Sequence, residues 1–197
     1  QVSDEEAVRN ACRFLKEADM DAIKLEGGIR VLSRIKAISD AGIVVFGHIG
    51  LTPQSSGQLG GFKAQGRTVD SARELIKDAL AIQGAGARAL LLEAVPPELT
   101  DYLSHKLTIP VYSIGAGLPC DGQLIICGDM LGLFQAFTPK FVKKYANVLP
   151  IRMLWDELFV VFPLVFQAVL LILAVGRYPR IGGHAQLLLP PILAVVL

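Results

Sequence analysis

Along the first three quarters of the chain, short uninterrupted apolar runs alternate with apolar stripes at helical spacing. Ser3 followed three residues later by Glu6 has the form of a capping box, and Ala7, Val8, Ala11, Cys12 and Leu15 then recur on one face, which predicts a helix over 4–18. Ala22 to Leu25 is a short run holding one charge, Lys24. It precedes Glu26-Gly27-Gly28 and predicts a buried strand ended by a tight turn. Val31, Leu32, Ile35 and Ile38 form a second stripe that Gly42 closes. Ile43 to Phe46 is fully apolar and largely β-branched, the pattern of a parallel strand covered on both faces, and it is expected to end at Gly47-His48.

Residues 49–68 are rich in Gly, Ser, Gln and Pro and predict a long irregular loop, of the kind used as a lid or binding loop. Ala72, Leu75, Ile76, Ala79 and Leu80 make a third helical stripe over 69–83, closed by Gly84. Ala89 to Leu92 is the next strand and ends at Glu93. Pro96 and Pro97 open a helix where proline is tolerated, running to about Leu107. Ile109 to Ile114 predicts a fourth strand ending in Gly115-Ala116-Gly117, Leu124 to Cys127 a short fifth, and Pro139 to Ala146 a last helix.

Strands near positions 22, 43, 89 and 109, each followed by a helix, make a βα repeat, and such crossovers build parallel sheets. The class is α/β. A complete (β/α)8 barrel takes about 200–250 residues and eight units. Residues 1–148 supply four or five, so the expectation is an incomplete barrel or a short open sheet.

Composition then divides the chain. It is 52% apolar and 19% charged, against about 45–50% and about 25% for an ordinary soluble domain. Of its 19 basic and 18 acidic side chains, residues 149–197 hold only Arg152, Asp156, Glu157, Arg177 and Arg180. The 1–148 portion is therefore charge-balanced and presents no electrostatic footprint for nucleic acid. Residues 149–197 form a separate apolar tail, expected to be largely helical. Within it, 158–176 carry no charge over nearly the ~20 residues that cross a bilayer. A membrane anchor, a helix buried against the sheet and an unrelated sequence joined to the 1–148 portion are the three readings of this tail. Three cysteines, Cys12, Cys120 and Cys127, match no zinc spacing or disulfide framework and suit a reducing compartment. A charged start at Gln1 lacks a signal-peptide pattern, and the expectation is a fragment of a cytoplasmic protein.

Chemistry-bearing residues gather at the predicted carboxyl ends of the strands: Lys24 and Glu26, His48, Glu93, and Gly115 to Gly117. In parallel α/β architecture those ends share the face where ligands bind. Each has a plainer reading alone. A carboxylate after a strand is commonly a turn residue, and a buried histidine can be satisfied by backbone. An ammonium inside an apolar strand needs either an acidic partner, for which Glu26 is at hand, or an anionic ligand. Gly115-Ala116-Gly117 lacks the final glycine of a dinucleotide fingerprint, since Cys120 stands there.

Longer motifs narrow the choice. Asp21 to Gly28 (DAIKLEGG), Gly47 to Ser55 (GHIGLTPQS), Gln58 to Gly61, Gln65 to Thr68, Leu92 to Pro96, and Ile114 to Gly117 with Asp121-Gly122-Gln123 occur in this order. Together they resemble the ketopantoate hydroxymethyltransferases. The resemblance implies a (β/α)8 barrel that transfers a hydroxymethyl group from 5,10-methylenetetrahydrofolate to 3-methyl-2-oxobutanoate, with Mg²⁺, as a homo-oligomer in pantothenate biosynthesis. It implies that Lys24 binds the keto acid, that Glu26 belongs to the magnesium site, that Glu93 is the proton acceptor, and that His48 lies in the substrate pocket.

The sequence also departs from the family. Its members carry upstream strands with two magnesium-binding aspartates and a substrate-binding serine, none of which is present here. Many have a histidine before the aspartate equivalent to Asp129, where this chain has Gly128. The likeness stops near Asn147. A truncated member is expected, one that alone neither closes a barrel nor encloses the metal. Two other readings stand beside it: a related metal-dependent enzyme acting at a carbon–carbon bond of another α-keto acid, and a catalytically dead, membrane-associated remnant.

Overall fold

A computed structural model describes residues 3–134 and 137–148. The 149–197 tail, and with it the candidate span 158–176, lies outside the described residues. Among those described, no helix is long and apolar enough to cross a membrane.

The chain enters through α1 (Asp4–Ala18), where the Ser3 side chain accepts the Glu6 N–H at 3.1 Å, as the capping pattern requires. It continues through β1 (Ala22–Glu26), a 3-10 turn (Ile29–Val31), α2 (Leu32–Asp40) and β2 (Val44–Gly50). A short helix, α3 (Ser56–Leu59), follows, then α4 (Val69–Gly84), β3 (Ala89–Glu93), α5 (Pro97–Lys106), β4 (Val111–Ile114), β5 (Gly122–Gln123) and α6 (Cys127–Met130). All four strand pairings are parallel, and the sheet order is the sequence order β1-β2-β3-β4-β5. A doubly wound sheet reverses its order at a switch point. This one never does, so it is an arc of a (β/α)8 barrel with five strands.

Side-chain alternation assigns the two faces of the arc. Ile23 and Leu25, Val45 and Ile49, Leu90 and Leu92, and Val111 pack against Ile35 and Ile38 of α2, Ala79 and Ile82 of α4, and Leu103 of α5. Contact with α4 is close enough to require glycine at position 47, where an added Cβ would stand 2.4 Å from Ile82 Cγ2. The alternate residues, among them Lys24, Glu26, Val44, Phe46, His48, Leu91, Glu93 and Tyr112, point to the second face. There the expected two-sided cover is incomplete on β2: Val44 is 40% exposed, and Phe46 is only partly buried, with its ring centre 6.1 Å from that of Tyr112. The apolar run reports burial in a closed barrel, and no further strand covers this face among the described residues.

Four local expectations change. Strand β2 runs on through Gly47-His48 to Gly50, so His48 lies inside the ladder. The 49–68 loop contains a 3-10 turn, Pro53–Ser55, and α3. The fifth strand is Gly122–Gln123; Leu124 to Ile126 are irregular, and Cys127 opens α6. No helix forms over 139–146. Val142 N–H makes a single turn bond to Pro139 O at 3.0 Å, and the Tyr145 and Val148 N–H groups donate to the Met130 and Leu131 carbonyls at 2.8 and 3.1 Å, so the end of this segment bonds to the C-terminal end of α6 in place of a continued helix.

Candidate active site

Register brings the candidate residues together. Lys24 and Glu26 are two apart on β1 and share a face, Glu26 pairs with His48 across the ladder, and His48 pairs with Leu91, two residues before Glu93 on β3. Backbone bonds then shape the exit from the strands. Leu51 N–H donates to Glu93 O at 2.8 Å, Ala94 N–H to Ile114 O at 3.0 Å, and Gln65 N–H to Ala94 O at 2.9 Å. Ala94 sits at φ +48°, a left-handed conformation that costs a non-glycine residue about 1–3 kcal/mol and is held here by the turn on which Glu93 ends.

The result is a buried line of charge. Lys24 Nζ lies 3.7 Å from Glu26 Oε1, His48 Nδ1 lies 3.6 Å from the same oxygen, and His48 Nε2 lies 3.2 Å from Glu93 Oε2. Neither His48 contact has hydrogen-bond geometry, so both ring nitrogens and Glu26 Oε1 are buried polar atoms without a partner. The other Glu26 oxygen accepts the Gln54 N–H at 3.1 Å, from the 3-10 turn that folds over β1. Arg30 ties that turn down through Gln58 and Ser55. The reading of His48 as a core histidine satisfied by backbone is therefore replaced by one that sets it between two carboxylates.

Burial would raise the Glu26 carboxyl, but His48, the Gln54 N–H and Lys24 together hold it below its ordinary value. For Lys24 the balance goes the other way. Burial pulls the ammonium below its usual range despite attraction from Glu26 and Glu93. The cation is thus incompletely compensated and suited to an anionic ligand. A cavity of about 740 Å³ opens at Lys24 and Glu26, with Arg30 and Arg34 on its wall.

Gly115 to Gly117 serves the architecture. Thr100 Oγ1 donates to Ala116 O at 2.6 Å, Ser113 Oγ accepts the Ala116 N–H at 3.1 Å, and a Cβ on Gly115 would meet the Phe141 ring at 2.3 Å. The residue that sequence reasoning did not select is Asp129. It comes from α6, is 9% exposed, and lines a second cavity, of about 1020 Å³, together with Glu93. Burial raises its carboxyl, Lys144 opposes that, and Glu93 adds to it. Its signals in the sequence were its place as a lone acid in the apolar stretch from Leu124 to Leu133 and its match to an aspartate of the family.

As for metal binding, Glu26 Oε1 offers one free, buried carboxylate oxygen. No group of three or more His, Cys, Asp or Glu suited to a metal occurs among the described residues.

Comparison with known proteins identifies the family. The sequence profile described as ketopantoate hydroxymethyltransferase matches residues 1–153. A protein of Alkaliphilus metalliredigens named 3-methyl-2-oxobutanoate hydroxymethyltransferase is 78% identical over 148 residues, covering 75% of this chain and 52% of the relative. Proteins of the same name from Syntrophomonas wolfei and Clostridium acetobutylicum are 51% and 54% identical over 152 and 148 residues, covering 77% and 75% of this chain and 55% and 54% of theirs. The chain spans about half the length of the curated relatives it matches.

Proposed function

Because the chain belongs to the ketopantoate hydroxymethyltransferase family, we propose that its site acts on 3-methyl-2-oxobutanoate, transferring to it the hydroxymethyl group of 5,10-methylenetetrahydrofolate to give 2-dehydropantoate. The observation that carries this reading is the Lys24, Glu26, His48, Glu93 line, in which a cation, a free carboxylate oxygen and a second carboxylate stand in one row across three strands.

The keto acid's carboxylate pairs with Lys24, whose ammonium is otherwise underpaired in a buried site. Its ketone oxygen then turns toward Glu26. That side chain suits Mg²⁺ as one hard oxygen ligand. Glu26 would hold it together with the two upstream aspartates that the family resemblance implies. Bound there, Mg²⁺ would supply Lewis-acid polarisation of the ketone, which would make the C3 proton removable at neutral pH. Glu93 takes that proton. Its carboxylate is the more accessible of the two, at 12% exposed against 4% for Glu26, and it faces the second cavity. The C3–H electron pair passes into the enolate. Water opens the methylene bridge, both C–N bonds breaking to release tetrahydrofolate and a formaldehyde unit. C3 then attacks the formaldehyde carbon, whose oxygen takes up a proton to become the hydroxyl. His48, fully buried and on the lining of neither cavity, stands between the two carboxylates and helps to position them.

Deuterium exchange at C3 tests the assignment without the folate half-reaction. A full-length protein that includes this segment and the upstream aspartates implied by the resemblance is expected, with Mg²⁺ in D2O, to exchange the C3 proton of 3-methyl-2-oxobutanoate, followed by proton NMR. Glu93→Gln is expected to slow it at least about 100-fold, the range of general-base catalysis. Equal exchange by both proteins would remove Glu93 as the base. Dependence of product formation on the folate donor separates this reading from a related α-keto acid enzyme.

A further inference from the structure

Two glycines follow Glu26, and each leaves room for a side chain from elsewhere. A Cβ on Gly28 would fall 1.9 Å from Cγ of Asp78, whose Oδ1 accepts the Ile29 N–H at 2.8 Å. That bond ties the 3-10 turn Ile29–Val31, which carries Arg30, to helix α4. Gly27, at φ +122°, leaves a path for the Arg30 side chain, since a Cβ there would stand 3.0 Å from Arg30 Nε.

Arg30 uses that path to reach the segment after β2. Its Nη1 donates to Gln58 Oε1 at 2.6 Å and its Nη2 to Ser55 Oγ. A guanidinium suits this task, because its planar fork of N–H groups grips two acceptors at a fixed spacing. Ser55 closes the 3-10 turn Pro53–Ser55 and Gln58 lies in α3, so the fork holds turn and helix as one piece. Packing does little to fix them, since a Cβ on Gly57 or Gly61 would meet nothing within 4 Å. Gln54, beside Ser55, donates its N–H to Glu26 Oε2 at 3.1 Å. The consequence falls on the carboxylate: with Oε2 held by the turn, Oε1 is the buried oxygen left without a hydrogen bond.

We propose that Arg30 is a positioning residue for Glu26: by pinning Ser55 and Gln58 it sets the Gln54 N–H on one carboxylate oxygen and presents the other to a divalent cation. The inference rests on the reading of Glu26 as a ligand of Mg²⁺ in a hydroxymethyltransferase site. Arg30 also lines the cavity that opens at Lys24, so direct contact with the keto acid's carboxylate is the competing role. The two differ in what Ser55 and Gln58 should do. A positioning Arg30 acts only through them, whereas an Arg30 that touches the keto acid acts without them.

The test uses a full-length protein that includes this segment, with Mn²⁺ in place of Mg²⁺ so that free metal is counted by electron paramagnetic resonance. Arg30→Met, the pair Ser55→Ala with Gln58→Met, and the triple variant are compared with the unchanged protein. Arg30→Met is expected to weaken Mn²⁺ about 10-fold, the low end for partners of a metal ligand, because it acts through a turn. The Ser55 and Gln58 pair is expected to do the same. Since all three variants remove one set of bonds, the triple is expected to lie within about 2-fold of Arg30→Met. In metal-free protein, hydrogen exchange over residues 53–58 is expected to quicken in each. At saturating metal, KM for 3-methyl-2-oxobutanoate in C3 exchange is expected to stay within about 2-fold. Unchanged Mn²⁺ affinity in the variants, whatever their melting temperatures, overturns the proposal, as does a raised KM in Arg30→Met that the Ser55 and Gln58 pair does not share. Absence of Mn²⁺ binding by the unchanged protein overturns it too. If Arg30→Met fails to fold, the Ser55 and Gln58 pair tests the same bonds from their other end. Failure of the unchanged protein to exchange C3 removes the catalytic reading, and the Mn²⁺ affinities then decide the role of Arg30 by themselves.

Discussion

Replacing Glu26 by Gln keeps the shape of the site and removes the charge that Lys24 and His48 face. Lys24 Nζ stands 3.7 Å from the carboxylate, and the two side chains are only 9% and 4% exposed. At an effective dielectric of about 20 that separation corresponds to about 4 kcal/mol of attraction. Removing one member of a buried pair costs about 3–5 kcal/mol, because the other charge is stranded. Lys24 has an escape, since burial already lowers its pKa and loss of Glu26 lowers it further. Deprotonation caps the penalty, and the low end, about 3 kcal/mol, is expected. At roughly 2–4 °C per kcal/mol for a chain of this size, the melting temperature falls by about 6–12 °C. Lys24→Met costs less, since Glu26 keeps the Gln54 N–H and His48. The double variant strands no charge on Lys24 and is expected to cost at least about 1 kcal/mol less than the sum of the two single changes. Urea denaturation followed by circular dichroism, with a chelator present at pH 7.5, measures all three. The pH dependence carries a sign as well. Because the folded pKa of Lys24 lies below its ordinary value of 10.5, stability rises as pH climbs from the folded value toward 10.5, and in Glu26→Gln that rise starts at a lower pH. An unchanged Glu26→Gln chain, or strict additivity in the double variant, would refute the coupling.

Asp129→Asn is expected to stabilise the chain at pH 7. Burial raises the folded pKa of Asp129 above 3.8, so its favourable contribution is complete only below that value and is lost as pH rises through the folded value. The advantage of the variant therefore fades in acid, and melting curves at pH 7 and pH 3.5 check it; a variant less stable at pH 7 contradicts the argument. Gly47→Ala drives a methyl to 2.4 Å from Ile82 Cγ2 in a fully packed layer and is expected to cost about 1–3 kcal/mol by urea denaturation. Wild-type stability in that variant would mean that α4 does not press on β2.

Much of the fold was legible because local and global preferences agree. The helix over 4–18, the two strands bearing Lys24 and Glu93, and the helix opened at Pro97 lie within a residue or so of their expected bounds. Misreadings fell where the partner is distant in sequence. His48 lies within a strand because Gly47 has no side chain to signal it, and glycine is tolerated there for the approach of Ile82. Residues 139–146 carry a helical pattern, yet the N–H groups of Tyr145 and Ala146 donate to Met130 O of α6 instead of continuing the turn that Val142 and Pro139 begin. Asp129 was visible as a lone acid matching an aspartate of the family, but nothing in its neighbours along the chain reveals that it shares a cavity with Glu93.

What the amino-acid order determined by itself was the period of each element, the βα alternation and the set of polar residues at strand ends, because these depend on side chains two to four positions apart. Parallel register decided the rest. Only the pairing of Glu26 with His48, and of His48 with the residue two before Glu93, turns three separate strand ends into one buried row of charge. Burial then gives that row its chemistry, since an ammonium and two carboxylates that would be ordinary in water become, away from it, a site short of partners.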